Sequence, residues 1–347
     1  MLVDSVPEQR AETAPAPPTR RAIRSLGLLV SVVVLLLVAV ASIAIGAKEL
    51  SLEQVWHGLF EDTGTYGDVV VGERLSRTVL GLLVGAALGL SGAVLQALTR
   101  NPLADPGLLG INAGASAAVV TAITFLGVTS LTGYVWFAFF GAAAVGAMVW
   151  FLGGSRGATP VRLALAGTAI SAALYGYVQA VMIVDDAALA RMRFWTVGSL
   201  TSATNDVIWE VLPFLAAGTL LSFALARPLN AMAMGDDTAK ALGANLNRTR
   251  ALSMLAATVL CGAATAACGP IVFVGLMVPH VVRSFTGPDL RWIMPYAAIL
   301  SPVLLLGSDV LGRIVARPSE VQVGIITAII GGPVFIFLVR RRRTAQL

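Results

Sequence analysis

Apolar runs of about 20 residues, each closed by a short polar stretch, follow one another along almost the whole chain. At about 1.5 Å rise per residue, a helical run of that length matches the hydrocarbon core of a bilayer, so lipid is the solvent of this fold. The pattern predicts an all-α polytopic membrane protein with ten spans: Leu26 to Ile45, Thr78 to Leu98, Leu108 to Leu126, Tyr134 to Leu152, Arg162 to Val184, Val207 to Ala226, Ala251 to Ala267, Ile271 to Arg283, Trp292 to Gly307 and Val321 to Val339. The eighth is short, and Gly269-Pro270 before it interrupts a continuous helix, so the seventh and eighth are expected as a tight or re-entrant pair. Residues 1–25 lack apolar periodicity and read as a disordered cytoplasmic tail ahead of one transmembrane domain over 26–343.

Composition agrees: 57% of the 347 residues are hydrophobic and 12% charged, with a mean hydropathy of +0.83. The formal charge of +5 takes a topological meaning here, not one of nucleic-acid binding. Arg20, Arg21 and Arg24 precede the first span and Arg340 to Arg343 follow the last; the loops with Arg100, Arg156, Arg162, Arg227, Lys240, Arg248, Arg250, Arg283 and Arg291 fall on the same side. Both termini are therefore expected in the cytoplasm, with the chain in the cell (inner) membrane. The first opposite loop is acidic: Glu49, Glu53, Glu61, Asp62, Asp68 and Glu73.

Several chemistries are excluded. A P-loop needs lysine after glycine, but Lys48 and Lys240, the only lysines, both follow alanine, so ATP must act on a partner. The two histidines, His57 and His280, are predicted on opposite sides of the membrane, leaving no converging metal donors and no metal or other cofactor expected on this chain. His280, the one histidine within a span, has no sequence-adjacent orienting acid for a hydrolase, and the spans hold too few charges for proton coupling. His280 reads either as a helix-end residue bonded to neighbours or as a proton relay. Cys261 and Cys268, about 10.5 Å apart along one helix, cannot pair while it is intact.

Local patterns add detail. Ser51 and Gln54 have capping-box spacing and open an external helix with Leu52, Val55, Trp56, Leu59 and Phe60 on one face. Gly81, Gly85 and Gly89 repeat every four residues, which lets a neighbouring helix approach closely. Between spans six and seven, Gly235, Asp236 and Asp237 suit a helix start and Gly243 its stop; Ala239, Leu242 and Leu246 share one side, a face suited to a docking partner.

These segments are similar to the FecCD-type permeases of ABC importers for iron-siderophore, haem and vitamin B12. The likeness rests on Arg74-Leu75-Ser76-Arg77-Thr78, on Ser91 to Leu98, on Arg100-Asn101-Pro102-Leu103-Ala104-Asp105-Pro106 with Gly107 to Gly110, and on Arg227 to Gly243. It continues through Gly275 to His280 with Arg283, Asp309 with Arg313, and Gly324 to Phe335. The resemblance implies a vitamin-B12-importer-like ten-span fold and a permease that pairs with a second one, identical or related. It implies two ATPases, an external substrate-binding protein and a metal-chelate substrate passed by alternating access. It also implies docking of the binding protein by Arg74, Arg77 and Arg313, and coupling to the ATPase through segment 230–247 with Gly235, Asp236, Asp237, Ala239, Leu242 and Gly243. A gate at Asn101 and Leu103 is implied, and a pathway helix bearing Ser171, Tyr175 and Gln179 at four-residue spacing. Asn101 and Leu103 could equally form a helix-stop turn before Pro102, and the Ser171 face a polar packing seam. Where the family often has proline, this chain has Ser76 and Gln322. A ferric siderophore is the expected cargo, with haem or cobalamin as alternatives; an ATP-independent channel or secondary transporter is the rival of another class.

Overall fold

The computed structural model describes residues 20–61, 64–154 and 160–343. In chain order its helices are α1 (Arg20–Ala44), α2 (Leu52–Phe60), α3 (Tyr66–Leu98), α4 (Ile111–Leu126), α5 (Leu131–Gly154), α6 (Pro160–Val184), α7 (Asp186–Trp195), α8 (Asn205–Ala224), α9 (Ala226–Ala233), α10 (Asp236–Ala241), α11 (Leu246–Cys268), α12 (Val274–Thr286), α13 (Leu290–Val315) and α14 (Val323–Arg343), with a 3-10 turn at Pro106–Leu109 before α4. No strand occurs among the described residues. Ten helices match the ten expected spans one for one. Seven are long and apolar enough to cross a bilayer, α4 and α14 carry shorter apolar stretches, and α12 has 13 residues. The end of the bundle that carries Arg100, Arg250 and Arg291 is called inner below.

Several boundaries differ from expectation, two of them helix starts set too late because charge was weighed as an end signal. α3 begins at Tyr66, twelve residues before Thr78, capped by Thr65 with Asp68, and carries Arg74 and Arg77 inside the helix. The expected tail reaches residue 25, yet α1 starts at Arg20. Arg24 stacks 5.9 Å over the Trp292 ring and its carbonyl accepts from Tyr296 Oη at 2.6 Å, so the first turn has partners. Residues 1–19 lie outside the described residues, as do Asp62 and Arg156.

The centre of the bundle is α3 crossed by α11 and α13. The most apolar stretches of α3 and α11 are 78% and 72% buried, against 11% for α1 and 17% for α6. Lipid gives helices no hydrophobic reason to associate, so close backbone approach does that work. A methyl group on Gly85 would stand 2.6 Å from Pro302 Cα of α13, and one on Gly92 would fall on the Gly275 carbonyl of α12. Ser91 Oγ donates to Ala257 O at 3.0 Å and Gln96 Nε2 to Leu276 O at 2.9 Å, tying α3 to α11 and α12.

The seventh and eighth spans are unequal. α11 crosses fully and ends where Ser199 N donates to Cys268 O at 2.7 Å. Residues 269–273 then descend in non-helical form, and α12 opens at depth, its Gly275 against Leu88 and Gly92 of α3. α12 therefore spans only the inner part of the bundle, with Gly198 and Gly331 packed around the descending segment.

The amphipathic α2 has both capping-box bonds, Gln54 N to Ser51 Oγ at 3.2 Å and Ser51 N to Gln54 Oε1 at 2.9 Å. Val55 packs inward while Leu52, Trp56 and Phe60 stay exposed, a face that suits the bilayer surface.

Candidate functional site: an arginine cleft, a pathway face and an inner helical hook

At the outer end, Arg74, Arg77 and Arg313 line one cleft of about 450 Å³ with Lys48, Tyr66 and Glu320. The family resemblance implied these three arginines as one docking set, and the structure brings them to one cleft. It also commits most of their donors internally. Arg74 Nη1 donates to Ile43 O and Ala44 O, both at 3.1 Å, and Arg313 Nη1 donates to Ser42 O at 2.8 Å and Ile45 O at 3.0 Å. These are the last carbonyls of α1, left without intrahelical donors, at the end where the helix dipole attracts cations. Arg317, absent from the sequence expectation, adds a bond to Gly46 O at 3.0 Å and pairs with Glu49 at 2.7 Å.

Asp309 organises the charges. Fully buried, it takes Arg77 Nη2 at 2.6 Å and, one turn along α13, Arg313 Nη2 at 3.0 Å. Arg77 Nη1 reaches Glu320 at 2.6 Å on the cleft wall. Three guanidiniums thus face two carboxylates, and Arg313 Nε has no partner among the described residues. Arg313 is 1% exposed, so the cleft presents its cationic potential from the floor. Glu320 was missed because ten residues and a turn separate it from Asp309 in sequence. Ser76, in place of the family's proline, donates to Asn205 Oδ1 at 3.1 Å.

The second zone is α6. Tyr175 and Gln179 are exposed and Ser171 is half-buried, so the four-residue face lies open along a helix that buries little within this chain. Ser171 sits beside Gly110, where an added Cβ would stand 3.2 Å from its Oγ. At the inner end, Asn101 borders a cavity of about 350 Å³ shared by the end of α3 and the start of α6. Asn101 Oδ1 accepts from Leu103 N at 3.0 Å, which makes this a turn closed by its own side chain. The turn also meets α12: His280, in the middle of that helix and not at its end as expected, has Nδ1 3.2 Å from Pro102 O.

The third zone is the hook formed by α9 and α10. α10 starts at Asp236, and Gly243, at φ +82°, stops it with Gly243 N on Lys240 O and Ala244 N on Ala239 O. The shared apolar side needs correction. Ala239 and Leu246 are buried with Met232 in a small cluster that fastens the hook to the protein, while Leu242 is 63% exposed. A partner would meet Leu242, Met234 and Asp237, not Ala239. Asp236 is not surface decoration: it pairs with Arg100 at the end of α3, and with Arg250 of α11 at 2.6 Å. Burial works against its charge, but the Arg100 bond and the Arg250 charge outweigh this and hold the carboxyl below the usual carboxylate range. A depressed value means the tether is intact at neutral pH and is lost only as pH falls through that lowered value.

No group of three or more His, Cys, Asp or Glu side chains suited to a metal ion occurs among the described residues.

Comparisons with known proteins place this arrangement. The FecCD transport family model matches residues 34–341. The ferric enterobactin transport system permease protein FepD of Escherichia coli is 45% identical over 93% of this chain and 96% of its own length. The hemin transport system permease protein HmuU of Yersinia pestis is 36% identical over 90% and 94%. Among solved structures, an inward-facing metal-chelate type ABC transporter superposes with a TM-score of 0.80 at 27% identity, over 91% of this chain and 99% of that one. The helix order, the paired α3 and α13 and the family match run over the same residues, and the chain belongs to the FecCD transport family of membrane permeases.

Proposed function

We propose that this chain is the permease subunit of a binding-protein-dependent ABC importer that carries a ferric siderophore inward by alternating access, with ATP hydrolysed on a separate subunit. The observation that carries the cargo class is the 45% identity, over nearly full length, to a ferric enterobactin permease. Haem is the second reading, favoured by the 36% identity to a hemin permease. A chelator already fills the coordination shell of its metal, so the pathway needs size and weak polarity more than ligands, which suits the open Ser171, Tyr175 and Gln179 face. In this reading α6 faces a second permease across the pathway, the hook meets the ATPase on the cytoplasmic side, and the arginine cleft receives the external binding protein.

The complex reconstituted in proteoliposomes with its ATPase and binding protein is expected to accumulate ferric enterobactin in an ATP-dependent manner and to leave hemin outside. Equal uptake with and without nucleotide would sink the importer reading; preference for hemin would replace the cargo.

The cleft yields a second test. Glu320 occupies Arg77 where an acidic side chain of the binding protein would bind. Glu320→Gln is therefore expected to tighten association with the binding protein several-fold at low salt, with the gain shrinking as salt rises. Weaker or unchanged association would remove the cleft from docking.

A further inference from the structure

The end of α3 is a Schellman turn: Arg100 N donates to Ala97 O at 3.2 Å and Asn101 N to Gln96 O at 3.2 Å. The position that must adopt left-handed geometry in this turn is normally glycine, yet here it is Arg100, at φ +49°. A non-glycine residue held there costs backbone energy unless its surroundings impose it. What imposes it is visible. The Arg100 guanidinium reaches across to the hook, donating to Met232 O at the end of α9 and to Asp236 at the first residue of α10. Asp236 in turn holds Arg250, in the first turns of α11. The residues after Arg100 are Asn101 and Leu103, in the turn that borders the inner cavity and leans on His280 of α12.

We propose that Arg100 is a positioning residue that transmits movement of the hook to the inner-end turn. The inference rests on the importer reading above and deepens it. A hook displaced by an ATPase pulls Asp236; Asp236 pulls the guanidinium; and the arginine backbone is itself the turn that carries Asn101. The second arginine on the same carboxylate moves α11 with it, so two spans answer one displacement. A side chain that served only to end α3 would be improved by glycine, which fits the turn without strain. A transmission residue would not.

The two roles therefore predict opposite outcomes for Arg100→Gly in the assembled complex. The variant is expected to assemble with the ATPase and to hydrolyse ATP, but its chelate uptake per ATP, measured with radio-iron-loaded enterobactin in proteoliposomes, falls by about tenfold, within the range one coupling contact can carry. Asp236→Asn shows the same split between hydrolysis and uptake, and Arg100→Lys, which keeps the charge, recovers part of the ratio. An unchanged ratio in Arg100→Gly overturns the inference while wild-type coupling leaves the importer reading standing. Loss of assembly in Arg100→Gly also overturns it, since the arginine would then be structural. A wild-type complex that takes up chelate without nucleotide overturns the importer reading and this inference with it.

Discussion

Asp309→Asn is expected to lower stability by about 3–5 kcal/mol, the cost of breaking a buried ion pair by removing one partner. Asp309 is fully buried between Arg77 and Arg313. An amide there keeps the shape, yet leaves Arg313 at 1% exposure with no carboxylate in contact and Arg77 with Glu320 alone. The measurement is the thermal unfolding midpoint in detergent, beside the yield of monodisperse protein. Arg317→Gln is the control: it removes a pair to Glu49 whose side chains are 35% and 82% exposed, and exposed pairs contribute about 0–1 kcal/mol. Equal midpoints for the two variants would mean that the buried carboxylate is not what holds the outer arginines.

Gly92→Ala is expected to be among the most damaging single methyls at the described glycines. The added carbon meets the carbonyl oxygen of Gly275, with Gly275 Cα 2.8 Å away, so backbone must move against backbone. Overpacking of this kind costs about 1–3 kcal/mol or more, and the shift is passed to the Gln96 bond that holds the first turn of α12. Gly307→Ala, on α13 where an added Cβ has no neighbour within 4 Å, is expected to stabilise by roughly 0.5–1 kcal/mol through better helix propensity. The pair of midpoints should move in opposite directions. If Gly92→Ala leaves the midpoint unchanged, α3 and α12 are not in the contact described.

Much of this was legible in residue order. A run of apolar residues long enough to cross a bilayer has few other uses, so the ten helices could be counted, and Gly81, Gly85 and Gly89 announced where a second helix would press. The capping of α2 by Ser51 and Gln54 was readable because its partners lie three residues apart. What escaped notice involved partners distant in sequence. Nothing near Arg313 shows that its guanidinium closes the carbonyl end of α1, 271 residues earlier. Charge was read as a boundary, which shortened α3 at Thr78 and α13 at Gly307, whereas Arg74, Arg77, Asp309 and Arg313 continue inside those helices because they neutralise one another. The hook's apolar side was visible, but not that Ala239 would turn inward and Leu242 outward. For the site, Asn101 and Leu103 came from the likeness to known permeases and lie in the inner turn, while Ser171, Tyr175 and Gln179, at four-residue spacing, lie along the open side of α6. Arg100 was seen only as a loop charge, although an arginine followed by Asn101-Pro102 at a helix stop carried the hint.

The short α12 bears on how the chain enters the membrane in the first place. Its 13 residues make a rod of about 20 Å, against a hydrocarbon core of about 30 Å. The descending residues 269–273 ahead of it are non-helical, and their peptide groups would be exposed to lipid if α12 arrived alone. Partition of single segments cannot therefore place it. α11 and α13 have the length to insert on their own, and α12 can follow only as a passenger between them, settling against Gly92 and Gln96 once α3 is already in place. Biogenesis of this permease should accordingly show one segment whose insertion waits for the chain that comes after it.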